Sequence, residues 1–315
     1  VNQVYDVSDL AEVTPGLETS KVIGSGSGWT IRGMGSFGIG AGVTASVVTA
    51  VNGHSVNDSV VADTGFFDLE RVEVLKGPQG TLYGASSTSW NIKIITKKPD
   101  VNGLDYGADF EYGSIADGDT DESLEAFINL PIGTNLAARL SAYNVKDGGW
   151  IDNKKASYSY QNARGYTIDN FTAPYNVAKD DYNDSSKEGM RLRLATDNEN
   201  FNVDLSFLSQ ESYYNGSYET DILTDDQSAP MPSRSNTRFS KERYDDKFDQ
   251  MSATITGSLS DNIDVVLNTS IFERDTAYTY DYASYVEYYY YAAYSSITHS
   301  SSTAVHENRS RGWKK

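Results

Sequence analysis

The chain has 315 residues, with 26 Lys and Arg against 44 Asp and Glu and a formal net charge of -18. That balance argues against a nucleic-acid binder, which needs a basic surface for phosphate, and the absence of cysteine excludes a disulfide framework and thiol chemistry. No apolar run reaches the roughly 18 residues of a membrane-spanning helix, which leaves barrel strands of about ten alternating residues open. His54, His299 and His306 are scattered without metal-ligand spacing and read as polar loop residues. No charged and apolar leader precedes Val1, so the expectation is a mature chain or a missing start.

The first distinctive segment is Thr14-Pro15-Gly16-Leu17, followed by a glycine-rich run. Within it, Gly33, Gly35 and Gly38 make a formal G-x-G-x-x-G. A dinucleotide site needs a helix to start there, and Gly40 and Gly42 oppose one. Val47 to Val51 reads as an apolar strand, and Asn52-Gly53 is the preferred centre of a type I′ hairpin turn. Val72 and Val74 alternate with charge, and Asn91 to Thr96 alternates again with Ile92 and Ile94 on one side, which predicts two strands. Between them Gly77-Pro78-Gln79-Gly80 fits a type I turn.

The wording of this region is more specific than its periodicity. LERVEVLKGPQGTLYG followed by NIKIITKKP resembles the plug signature of TonB-dependent outer-membrane receptors. Trp29 to Ser36 resembles the plug's "IRG" segment, and Val51 to Val56 its "VDG" hairpin, with Asn52 in place of Asp. The resemblance implies that two plug arginines pair with barrel glutamates; Arg32 matches the first. Lys76 stands at the second, where a lysine cannot form a two-pronged contact. Ser87-Thr88-Ser89-Trp90 replaces the paired glycines usual before the last plug strand.

Beyond Leu104 the chain becomes a series of period-2 segments. Tyr106, Ala108, Phe110 and Tyr112 oppose Asp109 and Glu111. Leu124 to Leu130, Leu136 to Ala142, Met190 to Leu194, Phe201 to Phe207, Ala253 to Leu259 and Ile263 to Ile271 alternate likewise. Alternation alone fits a soluble sandwich or a barrel. The turns near residues 131–135, 197–200 and 260–262 are short, whereas 146–187 and 211–249 are long and polar. Short turns at one end and long loops at the other belong to membrane barrels, and compact soluble domains rarely carry such loops. The apolar face is then expected to meet lipid and the charged face a wet or plugged lumen. Residues 276–294 are dense in tyrosine and read either as an aromatic loop or as a strand crossing an aromatic girdle. Asp180-Asp181-Tyr182-Asn183-Asp184 lacks the glycine and closing glutamate of a calcium loop and reads as a solvated acidic loop.

The expected fold is mainly β: a small α+β plug domain over residues 1–99, then the first strands of a large antiparallel transmembrane β-barrel over 100–315. Seven strands do not close a barrel that has about 22 strands in plugged transporters, so the chain is expected to be a fragment. The resemblance implies energised uptake of a scarce solute across the outer membrane of a Gram-negative bacterium. It implies the TonB complex of the inner membrane and outer-membrane lipid as partners, and no cofactor. The ligand classes it allows are siderophore, haem, cobalamin or oligosaccharide. By position, Phe37, Asn57 and Phe66 on the plug and Tyr213, Tyr214 and Tyr218 from a barrel loop would contact ligand, while Arg32 and Lys76 would contact the barrel. A hydrolase finds no catalytic motif. A surface adhesin or a passive porin-like barrel is the alternative reading.

Overall fold

A computed structural model describes residues 10–11, 13–22, 26–31, 34–35, 47–56, 66–76, 90–154, 157–161, 167–172, 177–220, 233–238, 240–260, 262–281 and 305–314. Among them the only helical residues lie in one turn around Leu10; the rest is strand and connection.

The N-terminal part holds two small sheets. In the first, β1 (Leu17–Val22) pairs antiparallel with β2 (Gly26–Ile31), and β2 with β3 (Met34–Gly35). In the second, β4 (Val47–Val51), β5 (His54–Val56), β6 (Leu69–Lys76) and β7 (Trp90–Thr96) lie in the order β5-β4-β7-β6. The expected Asn52-Gly53 turn joins β4 to β5, with φ of 50° and 85°, the positive values a type I′ turn demands. Strand β4 runs parallel to β7, and β6 antiparallel to it. Lys76 and Trp90 are direct partners in that ladder. The expected turn at 77–80 lies outside the described residues. Ile92 and Ile94 are buried on one face of β7, as their alternation predicts.

The rest of the chain builds one large antiparallel sheet. Its strands are β8 (Asp105–Ser114), β9 (Thr120–Pro131), β10 (Leu136–Asp147), β14 (Ser185–Thr196), β15 (Phe201–Asn215), β17 (Arg243–Ser260), β18 (Ile263–Asp281) and β19 (Val305–Lys314). Each pairs with the next in that order. The connections at one end are residues 132–135, 197–200 and 261–262. At the other end they are 115–119, 148–184, 216–242 and 282–304. The long ones carry the short strands β11 (Asp152–Asn153), β12 (Ser157–Gln161), β13 (Thr167–Thr172) and β16 (Ser235–Asn236); β11 and β16 pair parallel and tie two loops together.

The two faces of the large sheet are inverted relative to a water-soluble protein. Phe110 is 66% exposed, Met251 58% and Ile271 56%, all on the face the alternation marked as apolar. The opposite face buries Arg139, Ser141, Arg191, Gln210 and Asp246. A contiguous exposed apolar face of this extent marks contact with another apolar phase. On β17 the band runs from Met251 to Leu259, about 26 Å along the strand at ~3.3 Å per residue. Above it the outward positions become Arg243, Asp245, Lys247 and Asp249.

Candidate functional site: the docked plug and the lumen above it

The polar face of the sheet carries three arginines on two adjacent strands. Arg139 of β10 and Arg193 of β14 are direct cross-strand partners, with Arg191 two residues away on the same face. Like charges placed opposite one another oppose sheet formation unless counter-charges reach them. Asp68 supplies the first, from the stretch leading into β6. Its carboxylate accepts from Arg139 Nε at 2.8 Å and Nη2 at 2.6 Å, a two-pronged pair. Arg191 Nη2 lies 3.7 Å from the same carboxylate and donates to the Phe67 carbonyl at 2.9 Å and the Asp68 carbonyl at 3.1 Å. The Arg139 and Asp68 side chains are 5% and 1% exposed. The Arg139 guanidinium also sits 4.1 Å from the centre of the Phe127 ring.

Arg193 takes its counter-charge from the large sheet itself. Its Nε donates to Asp204 Oδ1 at 2.9 Å and its Nη2 to Oδ2 at 2.6 Å. The remaining nitrogen, Nη1, reaches the Thr96 carbonyl at 2.7 Å. Thr96 closes β7 and is held from behind by Asn52, whose Oδ1 accepts from the Thr96 backbone N–H at 3.0 Å. His54, buried at the hairpin, lies 3.5 Å from the Thr254 hydroxyl of β17; it is therefore packed in β5 rather than placed on a polar loop. The chain that leaves β7 is fixed by the fully buried Asn129. That amide accepts from Asp100 N–H at 2.9 Å and donates to the Asp100 and Gly103 carbonyls, both at 2.8 Å.

An apolar contact lies beside the ionic one. Val51 and Ile94 of the small sheet form a cluster with Leu208 and Phe248 of the large sheet, and Phe66, Leu69 and Phe272 pack on it. Each fully buried aliphatic side chain there contributes about 1.5–3 kcal/mol. Phe67 meets Tyr143 edge-on at 6.0 Å, and the Tyr143 hydroxyl donates to Gln210.

Higher on the same face, Tyr214, Tyr244 and Tyr278 are a row of cross-strand partners with neighbouring ring centres 6.0 and 6.3 Å apart. Arg274 forks onto Asp246 at 2.6 and 3.1 Å and donates to the Tyr244 hydroxyl at 2.9 Å. The loop bases close above them. The Glu242 backbone N–H donates to the Tyr182 hydroxyl at 2.7 Å, and Ser240 N–H to Asp281 at 2.9 Å. Burial pushes the Glu242 carboxyl up to about 7, outweighing the attraction of Arg238. The acidic stretch at 180–184 is only partly solvated. Asp180 is exposed, but Tyr182 and Asn183 are buried, and Asn183 Oδ1 accepts from the backbone N–H of Trp150 and Ile151 at 2.8 and 2.7 Å. No metal-holding group of side chains occurs among the described residues.

The residues expected to contact ligand are placed unevenly. Phe37 and Asn57, and Arg32 of the expected barrel contact, lie outside the described residues, as does the Lys76 side chain. Phe66 is half-buried between the small sheet and the large one. Tyr213 and Tyr214 lie within β15 rather than in a loop and therefore point to opposite faces. Tyr214 joins the inner tyrosine row, while Tyr213 lies outward with the Arg243 guanidinium 5.0 Å from its ring centre. Tyr218 follows the strand, half-buried. The contact that sequence reasoning missed is the one around Asp68. Its signal was three arginines on the polar faces of neighbouring strands.

A small sheet docked by charge on the inner wall of a curtain whose outer wall is apolar is the architecture of a plugged barrel. Comparison with known proteins agrees. Residues 1–89 match the family described as TonB-dependent Receptor Plug Domain. Over 89 residues the chain is 37% identical to the catecholate siderophore receptor Fiu of Escherichia coli K12, a stretch that is 28% of this chain and 11% of that receptor. Among solved structures, the siderophore receptor PiuA from Acinetobacter baumannii aligns with a TM-score of 0.62 at 16% identity, over 88% of this chain and 35% of its own. The FrpB iron transporter from Neisseria meningitidis aligns with a TM-score of 0.56 at 14% identity, over 87% and 39%. Residues 1–89 therefore match a TonB-dependent receptor plug domain, and the chain has the fold of these two solved proteins, of whose length it spans little more than a third.

Proposed function

We propose that the chain is the plug and first third of a TonB-dependent receptor that takes up a ferric siderophore across the outer membrane of a Gram-negative bacterium. The plug domain is assigned to residues 1–99 and the barrel part to 100–315. The observation that carries this reading is the plug sheet held against the inner wall by Asp68, Arg139, Arg191 and Arg193, beneath a lumen rimmed by Tyr214, Tyr244 and Tyr278. A passive porin-like barrel has no use for a wall-docked plug, which disfavours the alternative.

Transport in this reading is a binding and release cycle without covalent chemistry, so the protein is no enzyme. Ligand would settle between the plug tip, where Phe37 and Asn57 are assigned, and the loop bases around Tyr214 and Tyr218. TonB, drawing on the inner membrane, would shift the plug, and the apolar outer face would lie in lipid. The experiment is uptake of labelled iron, presented as ferric catecholate, by cells that lack their own receptors and express the full-length protein. Uptake that disappears when TonB is deleted is the expected result; uptake independent of TonB overturns the reading.

A further inference from the structure

The described contacts between the small sheet and the wall gather at one end of that sheet. They come from Val51, His54, Asp68, Leu69, Ile94 and Thr96, where β4 and β7 end and β6 begins. Toward the start of β7 the cover changes. Ile94 packs on Leu208 and Phe248 of the wall, whereas Ile92 packs on Leu10 and Leu17, from the first described stretch of the chain.

Next to Ile92, on the other face of the strand, stands Asn91. It lies five residues before Thr96, about 16 Å along the strand. Its side chain is fully buried, and neither Oδ1 nor Nδ2 has a hydrogen-bond partner among the described residues. The register explains why. The direct cross-strand partners of Asn91 are Val48 of β4 and Leu75 of β6, and neither side chain carries a donor or an acceptor. The amides at the anchored end differ: Asn52 and Asn129 each use both side-chain atoms. A buried amide without partners destabilises the strand that carries it, because both of its polar groups have left water without a substitute. An apolar side chain of the same size carries no such penalty. Strand β7 is therefore weak at its start and firm at its end.

We propose that Asn91 is a release point built into the plug. The start of β7 detaches from β4 and β6 while Thr96 stays on the wall, and that detachment is a step in opening the plug. Asn91 touches no ligand in this account; it sets how much work the opening takes. Displacement of the stretch around Leu10 uncovers Ile92 and so loosens this end first. The inference rests on the uptake reading above, and the exchange measurement below is independent of that reading.

The test uses the full-length receptor, in cells for uptake and in detergent for hydrogen exchange. Asn91→Leu matches the amide in size, and Asn91→Val is a second variant should leucine fit poorly. After correction for intrinsic rates, exchange at residues 91–93 should slow about tenfold, near the low end of what one unpaired buried polar group costs. Exchange at Thr96 and Lys97 should stay as it was. Affinity for ferric catecholate should change by less than about twofold, while TonB-dependent uptake at saturating ligand should fall at least about threefold, because a stabilised strand opens more slowly. Unchanged or faster exchange in both variants would mean that the amide is already satisfied, and would overturn the proposal. So would slower exchange with uptake unaltered, or a loss of affinity as large as the loss of uptake. Uptake independent of TonB in the unaltered receptor overturns the uptake reading instead.

Discussion

Replacing Asp68 by alanine should undock the plug from its wall. The carboxylate is 1% exposed and is the two-pronged partner of Arg139, itself 5% exposed, with Arg191 at 3.7 Å. Its removal leaves one buried guanidinium with only the exposed Asp105 carboxylate, 3.8 Å from its Nη1, and weakens the hold on a second. Breaking one side of a buried pair costs about 3–5 kcal/mol, most of it the penalty of the charge left behind. The readout is hydrogen exchange of the β6 and β7 amides, which reports the local opening energy. A loss of ~3 kcal/mol raises exchange there by roughly 150-fold. Asp68→Asn keeps acceptor geometry without charge and should fall between wild type and alanine. Combining Asp68→Ala with Arg139→Leu removes both charges and should cost less than Asp68→Ala alone. If Asp68→Ala changes exchange by less than about fivefold, or if the double variant is the worse of the two, the ionic account of docking is wrong.

Arg193→Lys should loosen the end of β7 nearly as much as Arg193→Ala, because a lysine cannot serve Asp204 with a fork and Thr96 with a third nitrogen at once; exchange at the Thr96 and Lys97 amides measures it. Gly189→Ala would put a methyl 2.5 Å from Tyr143 ring atoms, an overpacking of about 1–3 kcal/mol, visible as a lowered thermal midpoint that Tyr143→Ala partly restores. Glu242 sets a pH dependence. With its carboxyl raised to about 7 in the folded loops, the folded state holds a proton that an unfolded carboxylate has already lost. Its contribution is therefore complete below about pH 4 and fades as pH rises through about 7, by at most ~3 kcal/mol. Exchange in residues 233–242, corrected for intrinsic base catalysis, should accelerate between about pH 5 and 8 and lose that trend in Glu242→Gln.

How much was legible in the sequence depends on which face a residue serves. The outward apolar positions on β9 through β18 follow from period-2 alternation, because a strand with one apolar face carries its apolar residues at every second position. The inner face obeys no such rule. Leu208 and Phe272 each follow an outward apolar residue, Phe207 and Ile271. Those doublets, where both faces are apolar, mark the wall that the plug covers. The pairing of Asp68 left only Arg139, Arg191 and Arg193 as its trace, because its partners lie 71 and 123 residues further on, and only the folded sheet aligns them. The end of β15 was read as loop because above the apolar band both faces meet water, so the alternation that reveals strands ceases at Ser209. Tyr213 and Tyr214 were grouped by adjacency, whereas strand geometry separates them.

The position of the apolar band carries one more consequence. Its upper edge is at Tyr112 on β8, Leu124 on β9, Ala142 on β10, Met190 on β14 and Phe207, Met251 and Ile271 on β15, β17 and β18. Followed through the strand registers, that edge drops by three two-residue steps from β8 to β15. Three steps are about 20 Å along the strands, set against ~29 Å across the six spacings from β8 to β18. The band therefore crosses the hydrogen-bond rows at a slope near 35°, which is the inclination strands need to close into a barrel. In a bilayer, which lies flat, it is the strands that would lean. The hydrophobic lettering of this chain thus records the pitch of a barrel wall.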